Sequence, residues 1–201
     1  MSYNDRVINP ELSRSINKSG YVIDFDNGTW THMLSDSTKI VDFNFKTKTF
    51  QVLPDTTKFD YNIYKNDSIE TELYINMISV FRPLNLNHKI HKSKQEIFNY
   101  LTKNNFENVK DSTYFKFSNS IYQFSNTKEL RVLEGTHHRN KLRGYWYLGE
   151  IRNNYFIFLT MMGFLEQNIY QIISIDNKGV KLKKIQEGDS IWGITELKTC
   201  L

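Results

Sequence analysis

Residues 169–182 read IYQIISIDNKGVKL, and this stretch decides the class of fold. Both arms are rich in β-branched and aromatic residues with polar positions between them, as in β-strands that bury one face. The central Asp-Asn-Lys-Gly, residues 176–179, indicates a tight turn, because Asn and Gly tolerate positive φ angles. The stretch therefore predicts an antiparallel hairpin.

Two tryptophan motifs, far apart in the chain, extend this prediction. Gly28-Thr29-Trp30 and Gly144-Tyr145-Trp146 each open a β-patterned run, and each run later reaches a Tyr-x-Ile sequence, at Tyr61 and at Tyr170. A Trp at the mouth of a β-meander is a large apolar anchor whose buried N–H needs a partner. The recurrence predicts either two related β-units or one sheet whose two ends are filled alike.

Alternating apolar residues predict further strands, with Val41, Phe43 and Phe45 on a buried face. Residues 69–75 also fit a helical stripe that begins at Asp67, but their period-2 alternation favours a strand. The other strand-like segments are residues 21–25, 40–45, 50–52, 59–64, 114–117, 121–124, 130–133 and, as the closing strand, 191–194.

One segment, residues 94–103, predicts a helix. Ser93 and Glu96 have the spacing of a capping box, in which each side chain bonds the other residue's backbone N–H. Ile97 and Leu101 recur at helical spacing, so the helix is expected to pack one apolar face against the sheet.

The whole pattern predicts a mainly β fold, an antiparallel barrel or sandwich with one internal helix, and leaves open whether its halves are two related β-units. At 201 residues the chain can form one core or two small domains. We expect a polar N-terminal arm over 1–20, a first β-unit over 21–83, a helical connector over 84–112 and a second β-unit over 113–201. A single domain is the alternative.

Composition limits what the charge can mean. The chain has no alanine, 21 asparagines, and 19 lysines against 7 arginines, a skew typical of an AT-rich genome. A net charge of +4 over 26 basic and 22 acidic residues is therefore weak support for an anionic partner. The densest basic stretch, residues 137–143, has the character of a solvated loop, and we expect no nucleic-acid partner.

The expected location also follows from composition. Cys200 is the only cysteine, which excludes an intramolecular disulfide and fits a reducing compartment. Residues 1–20 lack the apolar segment of a signal peptide. The most apolar run, residues 155–165, is far shorter than the about 20 residues that a membrane-spanning helix needs. We expect a cytoplasmic protein without a membrane span, or an exported one if a signal peptide has been removed.

The C-terminal part resembles bacterial lipocalin-like domains over residues 142–198. Residues 144–148, Gly-Tyr-Trp-Tyr-Leu, are similar to the opening Gly-x-Trp strand of that family, and residues 170–182 to its later Tyr-x-Ile and Leu-x-Leu hairpin. Residues 27–75 resemble it more weakly, through Gly28-Thr29-Trp30. The resemblance implies a barrel that holds a small apolar ligand or has a purely structural role. The internal helix departs from the family pattern and argues against a single regular barrel.

Candidate ligand-binding residues come from the two motifs. Strand aromatics usually belong to a core, but barrels of about eight strands leave room for one small ligand. Trp30, Tyr61, Trp146 and Tyr170 are therefore the expected ligand-binding residues. We expect no catalytic residue and no cofactor, because the chain has no nucleophile elbow and no phosphate-binding Gly loop. We also expect no metal, because no cysteine lies near the histidines in the sequence.

The histidines support a less favoured alternative. An acid–base and anion-binding set, of the kind used by metal-independent nucleases, is formed by Glu134, His137, His138 and Arg139. Separately, three of His88, His91, His137 and His138 could bind zinc if the loop after Leu133 folded over the start of the helix. Adjacent histidines of a strand point to opposite faces, so surface histidines are the preferred interpretation.

The leading hypothesis is a non-catalytic, lipocalin-like binding protein that holds a small hydrophobic ligand or a protein partner. Two alternatives stay open: an immunity-type inhibitor of a toxin or enzyme, and a nuclease or hydrolase that uses the His137 region. A cavity with apolar walls would favour the binding protein, and an exposed patch of aromatic and charged residues would favour the inhibitor. His, Glu and Arg side chains that converge in a cleft would favour the nuclease or hydrolase. The sequence leaves the oligomeric state open.

Overall fold

The computed structural model describes residues 14–16, 20–33, 35, 37–64, 68–74, 77–119, 121–125, 141–161, 167–185, 194 and 196–200. Over these residues the chain has sixteen strands and one helix. It divides into two compact units, Met1–Asn85 and Leu86–Leu201. The predicted fold class, mainly β with one internal helix and two β-units, is confirmed.

The first unit is an eight-stranded antiparallel barrel. Each strand pairs with the next along the chain, and the last pairs with the first. The strands are β1 (Arg14–Ile16), β2 (Tyr21–Asp24), β3 (Thr29–His32), β4 (Ser37–Asn44), β5 (Thr49–Val52), β6 (Lys58–Ile63), β7 (Ile69–Tyr74) and β8 (Met77–Pro83). This order is that of an up-and-down barrel.

The turn between β2 and β3 shows why a glycine precedes the first Trp motif. Asp24 Oδ1 accepts hydrogen bonds from the backbone N–H groups of Asp26 and Asn27, at 3.1 and 3.2 Å. Gly28 then has a φ of +60°, and a Cβ there would lie 3.0 Å from the carbonyl oxygen of Val41. The turn therefore requires glycine, and it brings β3 close to β4.

The core of the first barrel is largely aromatic and aliphatic. Its buried residues are Ile23, Phe25, Trp30, Val41, Phe50, Val52, Tyr61, Ile69 and Phe81. The predicted buried face of β4 is correct for Val41, and Phe43 packs against the core half-buried. It is wrong for Phe45, which is 40 % exposed because β4 ends at Asn44 and Phe45 enters the turn.

The second unit is also an eight-stranded antiparallel barrel, in which β16 returns to pair with β9. Its elements are α1 (Lys94–Lys103), β9 (Asn105–Asn108), β10 (Tyr114–Ser118), β11 (Ile121–Ser125), β12 (Lys141–Ile151), β13 (Asn154–Met161), β14 (Gln167–Asp176), β15 (Gly179–Lys184) and β16 (Glu196–Cys200). The hairpin predicted from residues 169–182 is confirmed as β14 and β15, paired antiparallel.

Helix α1 matches its predicted bounds and its predicted cap. The Ser93 hydroxyl accepts a hydrogen bond from the backbone N–H of Glu96 at 3.2 Å, and the Glu96 carboxylate accepts one from the backbone N–H of Ser93 at 2.7 Å. Ile97 and Leu101 are fully buried in the core of the second barrel. We call α1 the helix plug, because its apolar face fills part of the barrel interior.

Three segments differ from the sequence expectations. Arg14–Ile16, expected in a polar arm, form β1 and pair with β2 and β8. Residues 94–108, expected in a connector, supply α1 and β9 to the second unit. The closing strand is Glu196–Cys200, whereas Ile194 lies outside any strand. These closing pairings join distant parts of the chain, so local patterns do not reveal them. Residues 130–133 and 191–193 lie outside the described residues.

In the part of the chain that the structure describes, no helix combines the length and the apolar character that crossing a membrane requires. The helix plug is the one helix among the described residues, and it is ten residues long.

Candidate functional site

The first barrel has a pocket of ≈ 480 Å³ at one end. Residues at the starts of β2, β4 and β6 and at the ends of β3, β5 and β7 line it, and these meet at one end of an up-and-down barrel. The lining residues are Tyr21, Trp30, His32, Ser35, Ser37, Lys39, Val52, Asp55, Thr57, Phe59 and Leu73. The volume is typical of small-molecule sites, which span about 300–1,000 Å³.

Trp30 lies at the boundary between this pocket and the barrel core, with 8 % of its surface exposed. Its ring centroid lies 5.3 Å from that of Tyr21, 5.8 Å from that of Phe50 and 5.5 Å from that of Phe81. Lys39 lies directly opposite Trp30 across β3 and β4, so both side chains project from the same face of the sheet. Trp30 thus forms an apolar floor beside a cationic side chain.

The indole N–H groups of Trp30 and Trp146 differ in whether they have a hydrogen-bond acceptor. Trp146 Nε1 donates a hydrogen bond to the carbonyl oxygen of Ser118 at 2.7 Å. Within the described residues, the indole N–H of Trp30 has no acceptor, although the side chain is more than nine-tenths buried. Trp30 Nε1 is not among the buried polar atoms that lack a partner, so its N–H is accessible to solvent.

A chain of three polar side chains forms one part of the pocket rim. His32 Nδ1 lies 2.7 Å from Ser35 Oγ, and Ser35 Oγ lies 2.8 Å from Ser37 Oγ. The His32 ring stacks on Tyr21, with centroids 4.4 Å apart and planes 27° apart. These contacts hold the imidazole against the apolar wall and leave the hydroxyl of Ser37 as the outer member of the chain.

An ion pair forms another part of the rim. Lys39 Nζ donates to Asp55 Oδ2 at 3.4 Å, and the two side chains are 54 % and 59 % exposed. A pair this open to solvent contributes at most about 1 kcal/mol to stability. Either partner can therefore leave the pair for a ligand at small cost.

The Ser35–His32 contact has the distance of a nucleophile and its general base. Hydrolytic serines also need a third group that orients the histidine. Within the described part of the chain, no carboxylate bonds the other ring nitrogen of His32. The arrangement is therefore better suited to hydrogen bonding than to nucleophilic attack.

Tyr61, an expected ligand-binding residue, lies deeper in the first barrel. It is 3 % exposed, and its ring centroid lies 6.3 Å from that of Phe50. Burial raises the pKa of its phenol. Tyr61 belongs to the core cluster and does not line the pocket at Trp30.

The other two expected ligand-binding residues lie in the filled interior of the second barrel. Trp146 stacks on Phe98 of the helix plug at 5.4 Å and meets Phe117 edge to face at 5.0 Å. Tyr170 is fully buried in the same core. Trp146, but not Tyr170, also lines a surface hollow of ≈ 550 Å³, together with Lys94, Gln95, Phe98, Asn119, Tyr147 and Leu148.

The residues of the acid–base alternative, Glu134, His137, His138 and Arg139, lie outside the described residues. His88 is half-buried and His91 is exposed. Where the chain is described, no three His, Cys, Asp or Glu side chains come together in a way that could hold a metal ion.

Sequence reasoning found the floor of the pocket but missed its rim. His32, Ser37 and Lys39 have the same strand parity as Trp30 and Val41, once β3 and β4 are paired. That alternation was visible in the sequence. The position of Asp55, in the loop that follows β5, was not, because it depends on the closure of the whole barrel.

The chain matches no family model, and neither a curated protein nor a solved structure is detectably similar to it.

Proposed function

We propose that this is a non-catalytic binding protein whose first barrel holds a small, largely apolar ligand. One observation carries the proposal: the pocket at Trp30 opens at the end of the barrel and has an apolar wall. The wall consists of Tyr21, Trp30, Val52, Phe59 and Leu73. Ligand sites commonly combine such a wall with a few polar groups that fix orientation, and the rim offers those groups.

Lipocalin-like binding is part of this proposal. Eight-stranded barrels are just wide enough to hold one small ligand, as lipocalins do. The pocket lies in the first barrel, although the sequence resemblance is stronger over residues 142–198. We therefore assign the binding role to the first barrel and a structural role to the second.

A fluorescence titration tests the proposal. N-phenyl-1-naphthylamine is a neutral apolar probe whose emission rises when it enters a dry pocket. We expect saturable binding near one probe per chain, with quenching of the Trp30 emission. Leu73→Trp should fill the pocket and abolish binding, whereas Leu53→Trp should bind like the wild type because Leu53 is exposed and outside the lining.

Circular dichroism must show that both variants fold. If Leu73→Trp does not fold, Thr57→Trp replaces it, since Thr57 is an exposed residue of the rim. Absence of probe binding in the wild type, or equal binding by the blocked and control variants, would refute the proposal. Hydrolysis of 4-nitrophenyl acetate that disappears in Ser35→Ala would replace it with a hydrolase.

A further inference from the structure

We infer that the first barrel selects an amphipathic aromatic anion, whose ring rests on Trp30 and whose oxyanion is held by Lys39 and the hydroxyl rim. This inference rests on the proposed function, because it names the class of ligand that the same pocket would take. It is carried by the placement of the donors relative to Trp30.

The cation lies beside the floor of the pocket. Trp30 and Lys39 are a directly opposed cross-strand pair, and such pairs have Cβ atoms about 4.5–5.5 Å apart. Both residues line the pocket. A ligand whose ring covers Trp30 therefore places a substituent at the ring edge within reach of the Lys39 ammonium.

Aromatic surface dominates the apolar wall. Tyr21, Trp30 and Phe59 contribute three ring systems to the lining, against the two aliphatic side chains of Val52 and Leu73. Aromatic rings prefer offset or edge-to-face contacts with other rings, which contribute beyond the area they bury. A planar aromatic body gains such contacts, and a flexible alkyl chain does not.

The polar rim supplies more donors than fixed acceptors. An imidazole with its proton on Nδ1 donates to Ser35, Ser35 then donates to Ser37, and the Ser37 hydroxyl is left to donate to a ligand. A bound oxyanion would select that tautomer of His32.

Asp55 is the one carboxylate among the lining residues, and it opposes an anionic ligand. Its pair with Lys39 is open to solvent, so Lys39 can turn from Asp55 to the ligand at small cost. Removal of the Asp55 charge should then strengthen anion binding, whereas removal of the Lys39 charge should weaken it. The two substitutions have opposite expected signs, which a general loss of structure would not produce.

Isothermal titration calorimetry with four probes tests the inference. 2-Naphthoate, 2-naphthalenemethanol and 2-naphthylmethylammonium share one ring system and differ in charge, and decanoate carries the carboxylate without a ring. We expect the naphthoate to bind at least about tenfold more tightly than the alcohol, since a tenfold ratio corresponds to about 1.4 kcal/mol and a charged hydrogen bond contributes about that much. The ammonium and decanoate should bind more weakly still.

Three variants locate the selectivity. Lys39→Met should lower the naphthoate affinity about tenfold and leave the alcohol unchanged, and Asp55→Asn should raise it about threefold. Lys46→Met is the matched control, because Lys46 is exposed in a turn outside the pocket lining. It should leave all four affinities as they are.

The outcomes separate the two proposals. If none of the four probes binds, the ligand-binding function itself fails. If the alcohol or the ammonium binds as tightly as the naphthoate, or if Lys39→Met weakens all probes equally, the binding function survives and the anion selectivity is wrong. If decanoate binds as tightly as the naphthoate, the preference for an aromatic ring is wrong.

Discussion

The two barrels share one strand order and differ in what fills them. Among the described residues, 17 buried residues form the core of the second barrel and nine form that of the first. The larger core of the second barrel includes two residues of the helix plug, Ile97 and Leu101. Each tryptophan also lines a hollow, of ≈ 480 Å³ at Trp30 and ≈ 550 Å³ at Trp146, but the one at Trp146 is bounded by the helix plug through Lys94, Gln95 and Phe98.

The difference shows that topology alone does not decide what fills an eight-stranded barrel. The interior of such a barrel is just wide enough either to be filled by side chains or to hold one ligand. In the second barrel Phe98 of the helix plug stacks on Trp146. In the first barrel the rings that contact Trp30 come from the barrel's own strands, at Tyr21, Phe50 and Phe81, because no helix of the described residues enters that barrel.

The two Trp motifs are not equivalent positions of a repeated unit. Trp30 lies on the third strand of its barrel, whereas Trp146 lies on the fourth strand counted from β9. Tyr61 and Tyr170, in contrast, each lie on the sixth strand. A short recurrent motif therefore predicted a buried tryptophan correctly in both halves without marking the same strand.

The largest expected effect comes from Trp146→Ala. The substitution removes a ring that is 1 % exposed and leaves the Ser118 carbonyl without its donor, so we expect a loss of about 3–5 kcal/mol in the free energy of unfolding. Trp30→Ala should cost about 1–2 kcal/mol less, because Trp30 is 8 % exposed against 1 % for Trp146 and, within the described residues, its indole N–H has no acceptor to lose. Urea denaturation followed by circular dichroism measures both. An equal or larger loss in Trp30→Ala would contradict the contrast between the barrels.

The helix plug gives the next effect. Leu101→Ala should destabilise the protein by about 2–5 kcal/mol, because Leu101 is fully buried and its truncation leaves a cavity. Ile40→Ala is the control, since Ile40 is 64 % exposed and its truncation should change stability by less than about 0.5 kcal/mol. Similar urea midpoints for the two variants would mean that the helix does not fill the second barrel.

A smaller effect is expected at the helix cap. Ser93→Ala removes the acceptor for the Glu96 N–H and should cost about 1 kcal/mol. Ser174→Ala, at an exposed strand position, should change the urea midpoint little. Should Ser93→Ala prove as stable as this control, the cap would have no part in holding the helix plug.

The smallest effect concerns pH. Hydrogen bonds from the Ser93 backbone N–H and hydroxyl hold the pKa of Glu96 below its usual value. A lowered carboxyl pKa stabilises the fold above the unfolded pKa, about 4.3, and this contribution is lost as the pH falls through the lowered pKa. Glu96→Gln should therefore lose less stability than the wild type between about pH 5 and pH 3. Parallel pH profiles of the melting temperature would contradict this.

Local signals were enough to predict the elements that short-range contacts build. The hairpin of residues 169–182 depends on Asp176, whose carboxylate accepts the N–H groups of Lys178 and Gly179 at 2.7 and 3.1 Å. Residues 69–74 form a strand, as their alternation predicted, and not the helix that their stripe also allowed. The turn hydrogen bonds of Asp176 and the alternation within residues 69–74 both involve residues a few positions apart.

Distant pairings were not predictable in the same way. Arg14–Ile16 look like part of a polar leader because their partners in β8 lie far along the chain. The rim of the pocket likewise joins His32, Lys39 and Asp55, which come from two strands and a loop. The sequence indicates their strand parity, but only the closed barrel brings them to one opening.

The closure of the first barrel also bears on self-association. β1 has three residues, and its register with β8 consists of Ser15 opposite Pro83 and Ile16 opposite Arg82. Pro83 has no N–H to donate to that pairing. Loss of β1 would leave β2 and β8 as two exposed strand edges, which are the templates on which chains stack into aggregates and amyloid. A three-residue strand is thus what separates a closed barrel from an open sheet that can recruit further copies of itself.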